Sequence, residues 1–190
     1  MPLQAAATAE GAVQLRGTGE GPPVLLLGAP ASVAPLAAAL EPRFRVLQTD
    51  AAEPAPADIA AALAEAGAER LGIVAAGREA VTALRLALQL GEAVESLVLL
   101  SPGLPGDTGL GEQLNTLAAP VLCLFGTREE NGPPLRAWRQ AVPVCHVVLV
   151  FDATAAMAAE RPEAVASVAG DFLRRRDQFI VSGQPARLHP

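Results

Sequence analysis

Short continuous apolar runs alternate along this chain with longer segments of helical periodicity. "VLLLG" (24–28), "RLGIVAA" (70–76), "VESLVLLSP" (94–102), "PVLCLFG" (120–126) and "CHVVLVF" (145–151) have the length and apolar density of strands buried on both faces. "AVQLRG" (12–17) alternates weakly and predicts a first strand, and "FRVLQTD" (44–50) predicts another that ends in a carboxylate. Between the runs lie predicted helices. "SVAPLAAAL" (32–40) is short. "DIAAALAEAG" (58–67) opens on Asp58, places Ile59 and Leu63 four apart and closes on Gly67. "REAVTALRLALQLG" (78–91) carries apolar residues on nearly all sides and is expected at the centre. "PPLRAWRQAV" (133–142) and "ERPEAVASVAGDFLRRR" (160–176) complete the set. The 103–119 segment reads as a polar, Gly-rich connection.

Strands that alternate with helices at this spacing predict βαβ units. The fold class is therefore α/β, a doubly wound, mostly parallel sheet with helices on both faces. Ligands of such folds bind outside the carboxyl ends of the strands. Those ends fall at Gly28–Ser32, Asp50, Gly77–Glu79, Ser101, Thr127–Asn131 and Asp152–Ala155.

Composition narrows the chemistry. The chain has 190 residues, enough to bury a sizeable core, with 51% hydrophobic and 18% charged residues. Every basic residue apart from histidine is Arg, which excludes Schiff-base lysine chemistry and a P-loop lysine. A net charge of −6 argues against sequence-independent nucleic-acid binding. The basic run Arg174–Arg176 ends a predicted helix, where cations complement the dipole. Cys123 and Cys145 sit in strand-like runs outside any metal-ligand spacing and are expected to be buried, inert thiols. No apolar run approaches the ~20 residues of a membrane span, and the first residues lack a signal-peptide pattern. A soluble cytoplasmic protein is the expectation, with no nucleic-acid partner and no cofactor.

Five segments in order resemble the α/β-hydrolase superfamily. "GTGEGPPVLLLGAP" is similar to the family's opening strand and oxyanion loop, and "FRVLQTD" to the next strand. "GIVAAGREAVTALRLAL…VESLVLLSP" resembles the strand, nucleophile elbow, helix and following strand. "APVLCLFGT" resembles the strand before the acid, and "ERPEAVASVAGDFL" the last helix. The resemblance runs from about Thr8 to Arg176. It implies one α/β-hydrolase-like domain over 1–176 and a C-terminal tail over 177–190.

The departures bear on function. The family pattern G-x-S-x-G falls on Ala75, Ala76, Gly77, Arg78 and Glu79, so the nucleophile position holds Gly77. Glu79 stands where the pattern has a second small residue, a place where a carboxylate suits the helix N-terminus. By the same resemblance the acid position is Glu129, the general-base position is Ala155, and the oxyanion loop is Gly28-Ala29. The "GxG" that usually follows the Asp50 position is absent. The helical cap that family members commonly insert between the strand ending "LLSP" and the strand "PVLCLFG" is replaced by the short 103–119 connection. The resemblance therefore implies a lidless, degenerate member with no catalytic residues at the family's positions.

Other constellations are open to weighing. Ser101 ends a strand with no His placed to activate it, and His146 is expected as a hydrogen-bonded structural residue at the far end of the sheet. His189 lies in the tail. Glu79, Glu129, Glu130 and Asp152, with Arg78 and Arg128, either converge as a binding site or form a solvated rim; no metal-ligand spacing is present. The apolar Phe179, Ile180 and Val181 either pack back on the domain or add to a partner. The expected function is a non-catalytic protein acting through protein contacts, such as an accessory subunit. The alternatives are a small-ligand binder using the vestigial pocket and a hydrolase or esterase with unorthodox site residues.

Overall fold

Strands that are apolar on both faces can be stable only inside a three-layer sandwich, and that is how this chain folds. The computed structural model describes residues 13–49, 51, 54–130 and 132–179. Its strands are β1 (Leu15–Thr18), β2 (Pro23–Leu27), β3 (Arg45–Thr49), β4 (Leu71–Ala76), β5 (Val94–Leu100), β6 (Val121–Gly126) and β7 (Cys145–Val150). They form one sheet in the order β1-β3-β2-β4-β5-β6-β7, parallel except for β1, which runs antiparallel to β3. The helices are α1 (Pro30–Leu40), α2 (Pro56–Glu65), α3 (Glu79–Leu90), α4 (Leu135–Ala141), α5 (Met157–Glu160) and α6 (Pro162–Arg175).

Register builds the two cores. Leu25, Ile73, Leu97 and Val121 are Cα partners in a row across β2, β4, β5 and β6. They face the layer that includes Ile59 and Leu63 of α2, Leu84 of α3 and Trp138 of α4. One residue further, Leu26, Val74, Val98 and Leu122 form the next row. They face Val33 and Leu36 of α1, Met157 of α5 and Val165 and Phe172 of α6. A slip of one residue in any central strand would exchange the two faces, but both are apolar. Side-chain size and the single glycine approaches therefore set the register. Gly72 is one of these: a Cβ there would lie 2.4 Å from Leu173 Cδ2. Gly126 is stricter, since a Cβ would lie 2.1 Å from the Ala153 carbonyl oxygen, which is backbone and cannot step aside.

Several local expectations change. α2 begins at Pro56, with Ala55 at its N-cap and Asp58 inside the first turn. Proline fixes the first-turn φ and lacks the N–H that would be orphaned there, so it outranks Asp58 as a start signal. α3 is amphipathic, exposing Arg85 and Gln89 while burying Ala80, Ala83, Leu84, Leu86 and Ala87. The "ERPE" helix is split, because Arg161 has a non-helical backbone between α5 and α6. The 103–119 connection is packed rather than purely polar. Two 3₁₀ turns (Pro105–Thr108 and Gly111–Thr116) seat Leu110, Leu114 and Leu117 in the α2–α3–α4 layer. Cys123 is buried as expected, but Cys145 is only half-buried. Asp50, Asn131, Ile180, Val181 and His189 lie outside the described residues. Phe179 lies inside them and is buried, ring edges against Phe172 and His146.

Two outcomes test this packing. Gly126→Ala should cost about 3 kcal/mol in denaturant unfolding, at the upper end for overpacking, whereas Gly103→Ala, with no atom within 4 Å of its Cβ, should fall within about 0.5 kcal/mol of wild type. Burial and the neighbouring Cys145 push the Cys123 thiol well up, while a hydrogen bond from Cys123 draws Cys145 down despite partial burial. A thiol probe on the native protein should therefore label about one cysteine, Cys145, and reach Cys123 only after denaturation.

Candidate functional site

The parallel strands deliver their carboxyl ends to one edge of the sheet, and the segments that leave them build a cleft there. A cavity of about 600 Å³ is lined by Gly28, Ala29 and Ser32 after β2, Thr49 of β3, Gly77, Arg78 and Glu79 after β4, and Ala155 and Ala156 after β7. The positions expected at Gly28-Ala29, Gly77 and Ala155 are thus brought together in one place.

Gly77 forms the tight turn between β4 and α3. Its φ is +60°, and its N–H donates to the Leu100 carbonyl at 2.8 Å, which pins the turn to the neighbouring strand. Left-handed backbone of this kind is what glycine adopts most cheaply. Among the described residues no atom lies within 4 Å of where a Cβ would stand, so a side chain at 77 would point away from them into the cleft. Glu79 is the first residue of α3, as its charge favours. Its carboxylate accepts from Thr82 Oγ1 at 3.3 Å and lies 3.6 Å from Arg78 Nε.

Glu129 sits one strand over, beyond β6. Its Oε1 accepts from the Ser101 hydroxyl and from the Gly126 N–H, each at 2.6 Å. Ser101 itself has a φ of +46°, a strained backbone for a residue with a side chain, and its N–H donates to the Leu124 carbonyl. This carboxylate therefore ties the end of β5 to the end of β6. The sequence reading missed the bond, although "LLSP" and "FGTREE" end adjacent parallel strands and had that signal.

The loop that carries Ala155 is held by its own polar clasp. Glu160 accepts from both the N–H and the hydroxyl of Thr154 at 2.8 Å. These two bonds hold the Glu160 carboxyl below its ordinary range, aided by Arg128 and Arg161. Asp152, also left-handed at φ +51°, pairs with Arg128 at 3.2 Å and with Arg161. Ala155 is thereby fixed at the rim and exposed. A second, shallower hollow lies between Ala155 and Glu129–Glu130.

Of the four carboxylates weighed as a site, Glu129 and Glu130 share the second hollow with Arg128, and the other two are engaged elsewhere. Glu79 binds within α3, Glu129 within the β5–β6 junction and Asp152 within the arginine clasp. Among the described residues no group of three His, Cys, Asp or Glu side chains could hold a metal. His146 lies near the start of β7, at the sheet end opposite the cleft, as expected. It is not hydrogen-bonded as expected: Nε2 is buried without a partner, between the ring edges of Phe172 and Phe179. Desolvation, and then Arg139, push its pKa down, so it stays neutral near pH 7.

No protein-family model matches the chain, and no curated protein matches it in sequence. Solved structures do match in shape. An α/β hydrolase from the sediment metagenome of the Mar Chica lagoon, Morocco, superposes with a TM-score of 0.74 at 15% identity, covering 90% of this chain and 98% of its own. The enol-lactonase of Burkholderia xenovorans LB400 gives 0.70 at 18% identity, with 85% and 96% covered. The naproxen esterase of Bacillus subtilis gives 0.68 at 16% identity, with 83% and 86% covered.

Replacing Glu129 with Ala should lower stability by roughly 2 kcal/mol, because a charged acceptor leaves two donors unpaired; Ser101→Ala should cost about 1 kcal/mol. The depressed Glu160 carboxyl stabilises the fold above the pKa it has when unfolded, and this contribution is lost as pH falls through its lower folded value. Acid titration of Glu160→Gln should accordingly show a shallower loss of stability at low pH than wild type. Seven strands in this order, parallel but for β1 and covered by helices on both faces, together with these superpositions, make the architecture that of the α/β-hydrolase fold.

Proposed function

We propose that this chain is a non-catalytic α/β-hydrolase-fold protein that works through contacts with another protein, in the manner of an accessory subunit. The observation that carries the reading is the content of the cleft. Gly77 stands at the turn that would present a nucleophile, and Ala155 lines the cleft from across it. The cleft does hold hydroxyls, Ser32 and Thr49, but the one imidazole among the described residues, His146, is at the far end of the sheet. A hydroxyl without a base is a poor nucleophile at neutral pH. Ser101 has a carboxylate beside it, yet Glu129 already accepts the Gly126 N–H and is held in the junction of β5 and β6.

The 103–119 connection supports the same reading. Its two 3₁₀ turns pack Leu110, Leu114 and Leu117 into the core layer, and only its first residues, Gly103, Leu104, Asp107 and Thr108, border a hollow beside Gly77 and Arg78. An open, non-reactive cleft suits docking of a protein surface better than enclosure of a small substrate. A second reading has its own support. The 600 Å³ cleft is within the usual size range of small-molecule sites, and the shape relatives include an enol-lactonase and an esterase.

Hydrolysis of p-nitrophenyl esters separates the possibilities. Wild type, Ser32→Ala and Ser101→Ala should all be indistinguishable from buffer. Turnover by wild type that either alanine variant abolishes would overturn the proposal.

A further inference from the structure

We infer that β7 is a self-association edge, and that two copies of this chain join β7 to β7 in antiparallel fashion about a two-fold axis. The inference is independent of the cleft, since a catalytic chain with this edge would associate in the same way.

The two ends of the sheet are finished differently. The β1 edge is four residues long and carries Arg16 and Gly17, the charged and weakly pairing residues that discourage further strands. The β7 edge is six residues long and pairs with β6 residue for residue, without a bulge. From Val142 to Phe151 the sequence has no formal charge at pH 7 and no proline inside the strand. Its apolar side chains remain in water: Val144 is 44% exposed, Leu149 49% and Phe151 84%.

The backbone is equally unfinished. The Val144 and Val150 carbonyls accept from Val121 and Thr127 and so point towards β6. Strand periodicity then turns the amides and carbonyls of Cys145, Val147 and Leu149 outwards. β7 pairs with β6 alone among the described residues. An uncharged, apolar, regular edge whose outward donors and acceptors have no partner among the described residues is a template for another strand.

Charge selects a second copy in antiparallel order. Beside the start of β7 lies Arg139 of α4, exposed and without an ion pair among the described residues. Arg139 is close enough to act on both Cys145 and His146. Around the other end, Glu129, Glu130, Asp152 and Glu160 outnumber Arg128 and Arg161. A two-fold axis through the edge brings the cationic end of each copy to the acidic end of the other. A parallel partner strand from the same chain would set like ends together.

Sedimentation equilibrium on the full chain tests this. Wild type should sediment as a dimer at about 100 μM and dissociate on dilution. Leu149→Pro removes an outward N–H and leaves the β6 ladder intact, so it should sediment as a monomer; so should Phe151→Lys, at a residue too exposed to affect folding. Arg139→Glu should weaken association several-fold. A monomeric wild type at 100 μM, including one that instead captures an unrelated protein, would overturn the inference. So would a dimer that survives both Leu149→Pro and Phe151→Lys while their circular dichroism stays native.

Discussion

The structure depends on one constraint: four adjacent parallel strands with no polar face. β2, β4, β5 and β6 bury nearly every side chain on both sides of the sheet. Their burial, at about 25 cal/mol per Å² of apolar surface, is the dominant favourable term in folding. It also obliges every connection to return over one layer or the other. Parallel strands send all their carboxyl ends in one direction, so the turns that follow β2, β4, β5, β6 and β7 must gather along a single edge. The cleft is a consequence of the core, and it forms whether or not the residues delivered to it can perform chemistry.

That separation of scaffold from chemistry explains the site. The β4–α3 turn keeps its left-handed residue and its bond to the Leu100 carbonyl, because the strand must reverse there in little space. Nothing in that requirement calls for a side chain, and Gly77 meets it with less strain than a serine would. The carboxylate at Glu129 has likewise a structural use, holding Ser101 and the Gly126 N–H together. The loop bearing Ala155 is held by Thr154–Glu160 and by Asp152 with its two arginines, so its shape needs no imidazole. Each position is locally satisfied by its own bonds.

Much of this was legible in the sequence. Runs such as "VLLLG" and "VLCLFG" reveal double burial, hence a parallel sheet and the line along which the cleft opens. The resemblance of five ordered segments placed Gly77 and Ala155 before any geometry, and the fold brings both to the cleft. Long-range polar contacts were less visible. Ser101 and Glu129 are 28 residues apart, and only strand order makes them neighbours. The His146 environment was misjudged because its partners are rings from α6 and Phe179, more than two dozen residues later. The start of α2 at Pro56 was displaced by reading Asp58 as the signal, when proline at the first turn was the stronger one; α1 likewise opens on a proline, Pro30.

The central claim is that the cleft holds no activated nucleophile. Intact-mass analysis after incubation with a fluorophosphonate probe measures this directly, because the probe bonds covalently to an activated serine whatever the enzyme's natural substrate. The account predicts an unmodified mass for the native chain. A stoichiometric adduct that maps to Ser32 or Ser101 and disappears on denaturation before labelling would contradict it.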